Sequence, residues 1–257
     1  MSRHLPKKRF GQNFLSNEII IHQIINVIHP GPQDHLIEIG PGLGAITLPL
    51  LPCVAKLDAI ELDRDIIPLL SSKTMTLGNI EIHQQDALKL ELQQFTSKAA
   101  SLRIVGNLPY NISTPLLFHL FEQKQWIMDM HFMLQKEVGL RLSAHPGSKQ
   151  YGRLSVMAQY HCQIEALLEV PPHAFTPAPK VDSLFIRLQP IQPSLLAHNI
   201  VKLDEVVKTA FSQRRKTLHN ALKKIISREQ LISLDIDPNK RAEELTVDNF
   251  VKISNIF

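Results

Sequence analysis

The segment GNLPYNIS, residues 106–113, places polar and aromatic groups directly after the apolar run LRIV. Asn107 offers a side-chain carbonyl. Leu108 precedes a proline, which holds its backbone extended, so its own carbonyl can point the same way. Two such acceptors hold both hydrogens of an amino group, and the ring of Tyr110 adds a face on which a nucleobase stacks. The segment therefore indicates a site that grips the exocyclic amine of a base.

The loop EIGPGLG, residues 38–44, is a second candidate site. Gly40 and Gly42 let the backbone approach a ligand closely before the chain turns into a helix whose N-terminus faces that ligand. Glu61 follows roughly 20 residues later, where a carboxylate accepts hydrogen bonds from ribose hydroxyls. Asp86 ends the next apolar run. Together these positions predict a cofactor that contains adenosine.

The glycine loop alone does not identify the cofactor, because it fits a nicotinamide dinucleotide as well as S-adenosylmethionine. A glycine turn with a purely structural role has the same sequence pattern. The segment 106–113 favours S-adenosylmethionine. The amine of adenine is a weak nucleophile, and two acceptors help its nitrogen to become pyramidal towards a methyl group. No strong general base is needed, since the proton can leave after the methyl has transferred. No hydride-transfer constellation accompanies the loop, so a dehydrogenase is the weaker hypothesis.

Strands alternating with helical segments must position these residues. Four apolar runs end at the glycine loop, Glu61, Asp86 and Asn107, with helical stretches between them, including one over 87–101. This order predicts right-handed crossovers and a parallel sheet covered on both faces. Helices and strands alternate again up to residue 190. We therefore expect an α/β fold: a Rossmann-like, S-adenosylmethionine-dependent methyltransferase sheet with a small C-terminal all-helical domain.

The proline-containing, polar segment QPIQPSLLAHN, residues 189–199, is typical of a domain boundary. It predicts an N-terminal catalytic methyltransferase domain over 1–190, with a basic arm at 1–15, and a C-terminal helical RNA-binding domain over 191–257. In the second domain, an apolar stripe from Phe211 to Ile225 predicts one continuous helix with basic residues largely on its other faces.

Positive charge is concentrated in two segments that contain no acidic residue. They hold 11 of the 28 lysines and arginines, although the net charge is only +4. Such clustering favours a polyanion as partner over two solvated surfaces. The candidate RNA-binding residues in these segments are Lys7, Lys8, Arg9, Arg214, Arg215, Lys216 and Lys223.

Composition excludes several classes of protein. No apolar run approaches the ~20 residues that span a bilayer, and the basic N-terminus lacks the apolar core of a secretory signal, so we expect no membrane. Two cysteines far apart indicate neither a disulfide framework nor a zinc site and suit a reducing cytoplasm. The twelve histidines are scattered, which predicts no metal. Without a long exposed apolar seam, we expect a monomer.

Several motifs together resemble the ribosomal RNA adenine N6-dimethyltransferases, and most closely the bacterial small-subunit group (the KsgA family). The resemblance covers essentially the whole chain. It lies in the segments KKRFGQNFL, EIGPGLG, GNLPYNIS, LQKEVGLRL, YGRLSVMAQY, AFTPAPKVDS and FSQRRKTLHNAL, in that order.

This resemblance implies roles for individual residues. Asn13 and Leu15 would close over S-adenosylmethionine beside Gly40, and Glu61 would hold its ribose. Asp86 would contact the cofactor adenine, and Asn107 would lie between the cofactor and the target. Tyr110 and Phe175 would stack on opposite faces of the target base. Family members dimethylate two adjacent adenosines in a hairpin near the 3′ end of 16S rRNA, on a late assembly intermediate of the small subunit.

Two rival functions stay open. The related large-subunit (23S rRNA) methyltransferases of macrolide resistance share the catalytic segment, although LQKEVGLRL and SQRRKTLHNAL argue against them. The other rival is a ribosome-assembly factor that binds RNA without methylating it. Intact Glu61, Asp86 and Asn107 favour retained chemistry.

Overall fold

The apolar runs that end at the predicted site residues form neighbouring strands of one sheet. The computed structural model describes residues 13–256. Its strands are β1 (Phe14–Leu15), β2 (His35–Ile39), β3 (Lys56–Glu61), β4 (Ile80–Gln84), β5 (Leu102–Asn107), β6 (Ile127–Gln135), β7 (Cys162–Val170), β8 (Phe175–Thr176) and β9 (Ser183–Pro190). Among the described residues, seven of them form a sheet in the order β4-β3-β2-β5-β6-β9-β7, while β1 and β8 pair separately.

The helices cover the alternating segments that the sequence pattern predicts, except for the stretch between β4 and β5. They are α1 (Glu18–Ile28), α2 (Thr47–Leu50), α3 (Ile67–Thr74), α4 (Ser113–Glu122), α5 (Lys136–Leu142), α6 (Arg153–His161), α7 (Ile200–Ser212), α8 (Leu218–Leu222), α9 (Arg228–Ser233) and α10 (Val247–Ser254). None of the helices within residues 13–256 combines the length and the apolar character needed to cross a bilayer.

The chain divides into two compact units. Among the described residues, one unit contains residues 13–139 together with Glu165–Pro190, and the other contains Leu140–Ile164 together with residues 191–256. The first unit holds most of the sheet. The second holds α6 to α10, so its helical part includes a segment from before residue 190. The functional division at residues 190/191 stays a prediction.

Register brings the predicted site residues to one edge of the sheet. Strands β2, β3, β4, β5 and β6 pair in parallel, which confirms the α/β fold. Ile39 pairs with Ile60 on one side and with Gly106 on the other. The residues that follow these three positions are Gly40, Glu61 and Asn107, so the loop, the acid and the amide emerge side by side at the carboxyl edge.

A buried ion-pair network fixes β5 within the sheet. The Arg103 guanidinium donates from Nε and Nη2 to the two carboxylate oxygens of Asp129 on β6, at 2.9 and 3.0 Å. Its Nη1 donates to Asp34, in the turn before β2, at 2.6 Å. A bidentate pair of this kind imposes a defined geometry. The network therefore ties β5, the strand that ends at Asn107, to structure on both sides.

Two details of the sheet and its connections differ from the sequence-based expectations. The sheet is not parallel throughout, because β9 runs antiparallel to β6. The stretch between β4 and β5 forms only two short 3₁₀ turns, Ala87–Lys89 and Leu92–Gln94, instead of a helix. Asp86 caps the first of these turns, which ends as soon as Leu90 returns to an extended conformation.

The helix predicted from Phe211 to Ile225 is also broken. α7 ends at Ser212, and α8 begins only at Leu218, after Thr217 in an extended conformation. Arg214 lies in the break, where its guanidinium donates to Glu243 Oε2 and to the carbonyl of Lys149, both at 2.6 Å. These charge-assisted contacts hold the Arg214 side chain in place, and side-chain periodicity does not reveal them.

We predict that Gly106→Ala destabilises the first unit. A Cβ at Gly106 would lie 2.6 Å from the backbone oxygen of Ile39 on the paired strand, which cannot move aside as a side chain can. We expect a loss of roughly 1–3 kcal/mol, typical of overpacking, in urea unfolding. Gly152→Ala is the matched control, since its Cβ would meet its nearest atom at 4.0 Å. Equal stability of the two variants would contradict the prediction.

Candidate functional site

A cavity of about 1040 Å³ opens at the carboxyl edge of the sheet. Its walls come from the segment before α1, the loop after β2, the ends of β3 and β5, and the turn after β4. All of these segments belong to the first unit. The predicted site residues among its lining are Asn13, Leu15, Gly40, Gly42, Glu61, Asp86, Asn107, Leu108 and Tyr110.

The glycine loop is tied to β3 by two kinds of contact. Gly40 and Gly42 have φ values of +67° and +54°, a region in which glycine carries no steric cost. The backbone N–H of Gly40 donates to the carbonyl of Ile60 at 2.9 Å, and that of Gly42 donates to Glu61 Oε2 at 3.3 Å. The loop is therefore held in place by the strand that carries the predicted ribose ligand.

Glu61 and Asp86 both anchor local backbone. Besides Gly42, Glu61 accepts the N–H of Asp63 on Oε1 at 2.8 Å. Burial raises the pKa of Glu61, and these backbone hydrogen bonds oppose the shift. Asp86 accepts the N–H of Leu88 at 3.0 Å and so caps the turn after β4. Each carboxylate faces the cavity from a position fixed by its own backbone contacts.

The amide of Asn107 has a defined orientation. Its Nδ2 donates to the backbone carbonyl of Asn13 at 3.0 Å. Because a carbonyl only accepts, this contact requires the amide nitrogen to face Asn13. Oδ1 is therefore the acceptor that Asn107 offers to a ligand in the cavity. The backbone N–H of Leu108 donates to Met133 on β6 at 3.2 Å, which holds the next acceptor in register.

Tyr110 is held by a residue that the motif analysis did not single out. Its hydroxyl lies 2.9 Å from Ser183 Oγ, at the start of β9. Ser183 is fully buried. Burial raises the pKa of Tyr110, although the hydrogen bond with Ser183 lowers it. The ring is therefore anchored through its hydroxyl as an uncharged phenol.

A two-stranded clip holds the segment that lines the cavity before α1. Strand β1 pairs antiparallel with β8, with Leu15 opposite Phe175. Ser16 extends the clip, because its N–H donates to the carbonyl of Ala174 at 2.8 Å and its hydroxyl lies 3.2 Å from Thr176 Oγ1. The N-cap of α1 is Asn17, whose side chain accepts the backbone N–H of Ile20.

Phe175 does not join the other predicted site residues. Its side chain is only 3% exposed and belongs to the hydrophobic core with Leu15, while its neighbour Thr176 lines the cavity. Its role opposite Tyr110 stays a prediction. In the described structure Phe175 anchors the clip.

The predicted RNA-binding residues fall into two groups. Lys7, Lys8 and Arg9 lie outside the described residues. Arg215, Lys216 and Lys223 are exposed in the second unit. Arg214 is exposed there as well, although its guanidinium is already paired with Glu243.

Glu38 is a cavity residue that sequence reasoning missed. It lies on β2 directly before the glycine loop and is only 2% exposed. Its Oε2 and the Thr47 hydroxyl have no hydrogen-bond partner among residues 13–256. Burial raises the pKa of Glu38 to about 7, the nearby Thr47 hydroxyl opposes the shift, and the charge of Glu61 adds to it. The feature of the sequence that could have identified Glu38 is an acidic residue within an otherwise apolar strand.

We predict that Glu38→Gln stabilises the ligand-free protein at alkaline pH. Between pH 4.5 and about 7 the folded state keeps a proton that the unfolded state has lost, so stability falls as pH rises. Replacing Glu38 by an amide that does not titrate should raise the free energy of unfolding by at most about 3 kcal/mol near pH 8 and by much less near pH 5. Urea unfolding at both pH values measures the difference, with exposed Glu91→Gln as control. An equal difference in stability between variant and parent at both pH values would contradict the prediction.

Comparisons with known proteins show which family the chain resembles. The family model described as "Ribosomal RNA adenine dimethylase" matches residues 3–257. A protein of Saccharophagus degradans named "Ribosomal RNA small subunit methyltransferase A" is 53% identical over 257 residues, covering 99% of this chain and 96% of the relative. A Yersinia pestis protein of the same name is 50% identical over 254 residues, covering 98% of this chain and 93% of that relative.

Two solved structures share the fold over nearly the whole chain. A dimethyladenosine transferase from Plasmodium falciparum has a TM-score of 0.81 at 27% identity, covering 93% of this chain and 95% of that one. The 23S rRNA methyltransferase ErmE has a TM-score of 0.76 at 22% identity, covering 94% and 98%, and shows the fold alone. Because the family model spans the glycine loop, Asn107 and the second unit, this chain belongs to the ribosomal RNA adenine dimethylase family.

Proposed function

We propose that this protein transfers methyl groups from S-adenosylmethionine to the N6 amines of two adjacent adenosines in the 3′-terminal hairpin of 16S rRNA. The substrate is a small-subunit assembly intermediate, and the modification contributes to ribosome biogenesis. The observation that carries the proposal is the Asn107 amide, which the Asn13 carbonyl orients at the edge of the cavity that also contains the glycine loop.

The residues of the cavity fit S-adenosylmethionine. Gly40 and Gly42 leave the backbone open to a ligand, and Glu38 contributes a buried carboxylate oxygen without a partner among the described residues. This acid and Glu61 both line the cavity, which favours a ligand that carries positive charge. S-adenosylmethionine supplies an electrophilic methyl group on a sulfonium. A volume of about 1040 Å³ exceeds that of most drug-sized pockets, ~300–1,000 Å³, and leaves room for a nucleobase.

Three groups of the chain would hold the target base. Asn107 Oδ1 and the Leu108 carbonyl would accept the two hydrogens of N6 and aim its lone pair. Tyr110, fixed by Ser183, would present its ring for stacking, a contact worth roughly 1–3 kcal/mol per base. The adenosine must leave its stack to reach this position. Positioning and electrostatic stabilisation then supply most of the catalysis.

Proton transfer does not require a dedicated base in this arrangement. The amide of Asn107 cannot accept a proton at neutral pH. Methyl transfer leaves N6 positively charged, and this cationic amine is a far stronger acid than neutral adenine, so it loses its proton to water. The monomethylated amine keeps one hydrogen, which one of the two acceptors would hold while the nitrogen again faces a methyl donor, and this second transfer gives the dimethyl product. Neither step uses a metal.

The exposed basic residues of the second unit supply a surface for RNA backbone. Arg215, Lys216 and Lys223 are exposed, as phosphate contacts require. The basic arm at 1–15 and the domain 191–257 would each hold RNA backbone, and the enzyme would be monomeric and cytoplasmic. The alternatives are methylation of 23S rRNA and assembly checking without methylation.

The deciding experiment uses methyl-labelled S-adenosylmethionine with unmethylated small subunits, large subunits and their naked RNAs. We expect N6,N6-dimethyladenosine in small-subunit RNA alone, detected by nucleoside mass spectrometry. Label in large-subunit RNA would move the assignment to 23S rRNA. RNA binding without any label would support the assembly factor.

We predict that Asn107→Asp lowers kcat by roughly 10²–10³, the cost of losing one oriented polar group in an active site. A carboxylate cannot donate to the Asn13 carbonyl, so the orientation of the acceptor is lost together with the neutral amide. Single-turnover assays measure the effect. Asn111→Asp adds the same charge elsewhere on the cavity wall, and an equal loss in this control would refute a specific role for Asn107.

We also predict that the double variant Arg215→Gln, Lys216→Gln weakens RNA binding. Each lost phosphate contact should reduce the slope of log K against log salt by roughly 0.7–0.9. Filter binding across a salt series measures this slope. The matched control, Lys89→Gln with Lys98→Gln, removes two exposed charges from the first unit. Identical slopes for the two double variants would contradict the assigned surface.

A further inference from the structure

A polar cluster in the first unit lies on strands β2, β3 and β4, and none of its residues lines the cavity. We propose that Asp58, Glu81 and His83 form a binding site for a zinc-class divalent ion. One ligand atom from each of the three side chains lies within 4.8 Å of the others. The site is separate from the methyl-transfer chemistry and does not rest on the proposed function.

Strand register creates this convergence. Asp58 on β3 pairs with Glu81 on β4, so the two carboxylates project from the same face of the sheet. His83 follows Glu81 by two residues, and alternate residues of a strand share a face. The cluster combines a fully buried carboxylate on Asp58 with an exposed one on Glu81, whose side chain is 62% exposed. An ion can therefore approach from solvent and bind against a fixed acid.

The position of Lys56 shows that this point accommodates a cation. Its ammonium nitrogen lies 3.1 Å from Asp58 Oδ2 and 3.4 Å from Glu81 Oε2. It thus occupies the space between the two carboxylates. The side chain is 34% exposed, and a lysine stem is flexible enough to move its charge into water. A divalent ion would compete with this ammonium for the same two carboxylates.

Neighbouring groups hold the ligand atoms in place. His83 Nε2 lies 2.7 Å from Asp58 Oδ1, a hydrogen bond that Zn²⁺ would replace, with its proton moving to His83 Nδ1 or to water. His35 Nε2 lies 2.5 Å from Oδ2 of the same carboxylate. The His83 ring also packs edge-on against Phe95, with ring centroids 5.3 Å apart. His35 is not among the three converging residues. It would act instead as an outer partner that orients the Asp58 carboxylate, as such partners do in metal sites.

The donor set selects the kind of ion. One imidazole nitrogen and two carboxylates suit Zn²⁺, whereas Mg²⁺ prefers oxygen ligands and retains its water. The two carboxylates balance a charge of +2, and three protein ligands leave a fourth position for water. An ion here would clamp the edge strand β4 to β3.

The test is isothermal titration of the full chain with Zn²⁺, and with Mg²⁺ as a second probe. We expect one Zn²⁺ per chain and no comparable Mg²⁺ binding. Lys56→Met removes the competing ammonium and should tighten Zn²⁺ binding roughly tenfold. His83→Gln and Glu81→Gln should each weaken it about tenfold or more, and His35→Gln by a similar factor. Exposed His22→Gln is the matched control and should leave the affinity unchanged.

Two outcomes would overturn the proposal. The first is an absence of Zn²⁺ binding in both the unmodified chain and the Lys56→Met variant, which would leave the cluster as a hydrogen-bonded support for β3 and β4. The second is binding that His83→Gln and Glu81→Gln do not affect, which would place the ion elsewhere. The Glu81 variant keeps the test decisive if buried positions do not tolerate substitution, because its side chain is largely exposed.

Discussion

The parallel register of β3, β2 and β5 is the constraint on which the site depends. Since Ile39 pairs with both Ile60 and Gly106, the residues that follow on all three strands emerge at one level. A one-residue slip would send every side chain of a strand to the opposite face. The Arg103 network fixes β5 against β6. The close approach of Gly106 to the Ile39 carbonyl requires a residue without a side chain directly before Asn107.

The sequence predicts this edge well because strand ends have strong local signals. Apolar runs, glycines and a proline mark where β2 and β5 end, and the acids stand where the ladder stops. The two-residue strands β1 and β8 have no periodicity to detect, and only tertiary pairing reveals them. The same limit applies to Phe175: its motif is recognisable, but its burial beneath the clip depends on a partner 160 residues away in the chain.

Long-range charge pairing accounts for much of what the sequence could not predict. The break between α7 and α8 contains Arg214, whose guanidinium contacts Glu243, and no helical pattern predicts this contact. The cluster around Asp58 is another example. A search for histidines and acids at helical spacing misses it, because its members converge through strand register across β3 and β4. Burial of Glu38 is equally invisible in the sequence, although an acid in an apolar strand is an anomaly.

The buried carboxylates of Asp58 and Glu38 differ in a way that separates structural support from ligand binding. Asp58 accepts hydrogen bonds from His35 and His83 and lies beside Lys56. Burial alone would raise the pKa of Asp58, but these partners lower it below its usual range. The pKa of Glu38 is raised to about 7, because burial is not offset by partners of this kind. A buried acid without compensation costs stability, so a fold retains it where a ligand supplies the missing charge. By this argument the cavity depends on a cationic ligand for its full stability, and the cluster around Asp58 does not. An ion at Asp58 must instead compete with a lysine that is already in place.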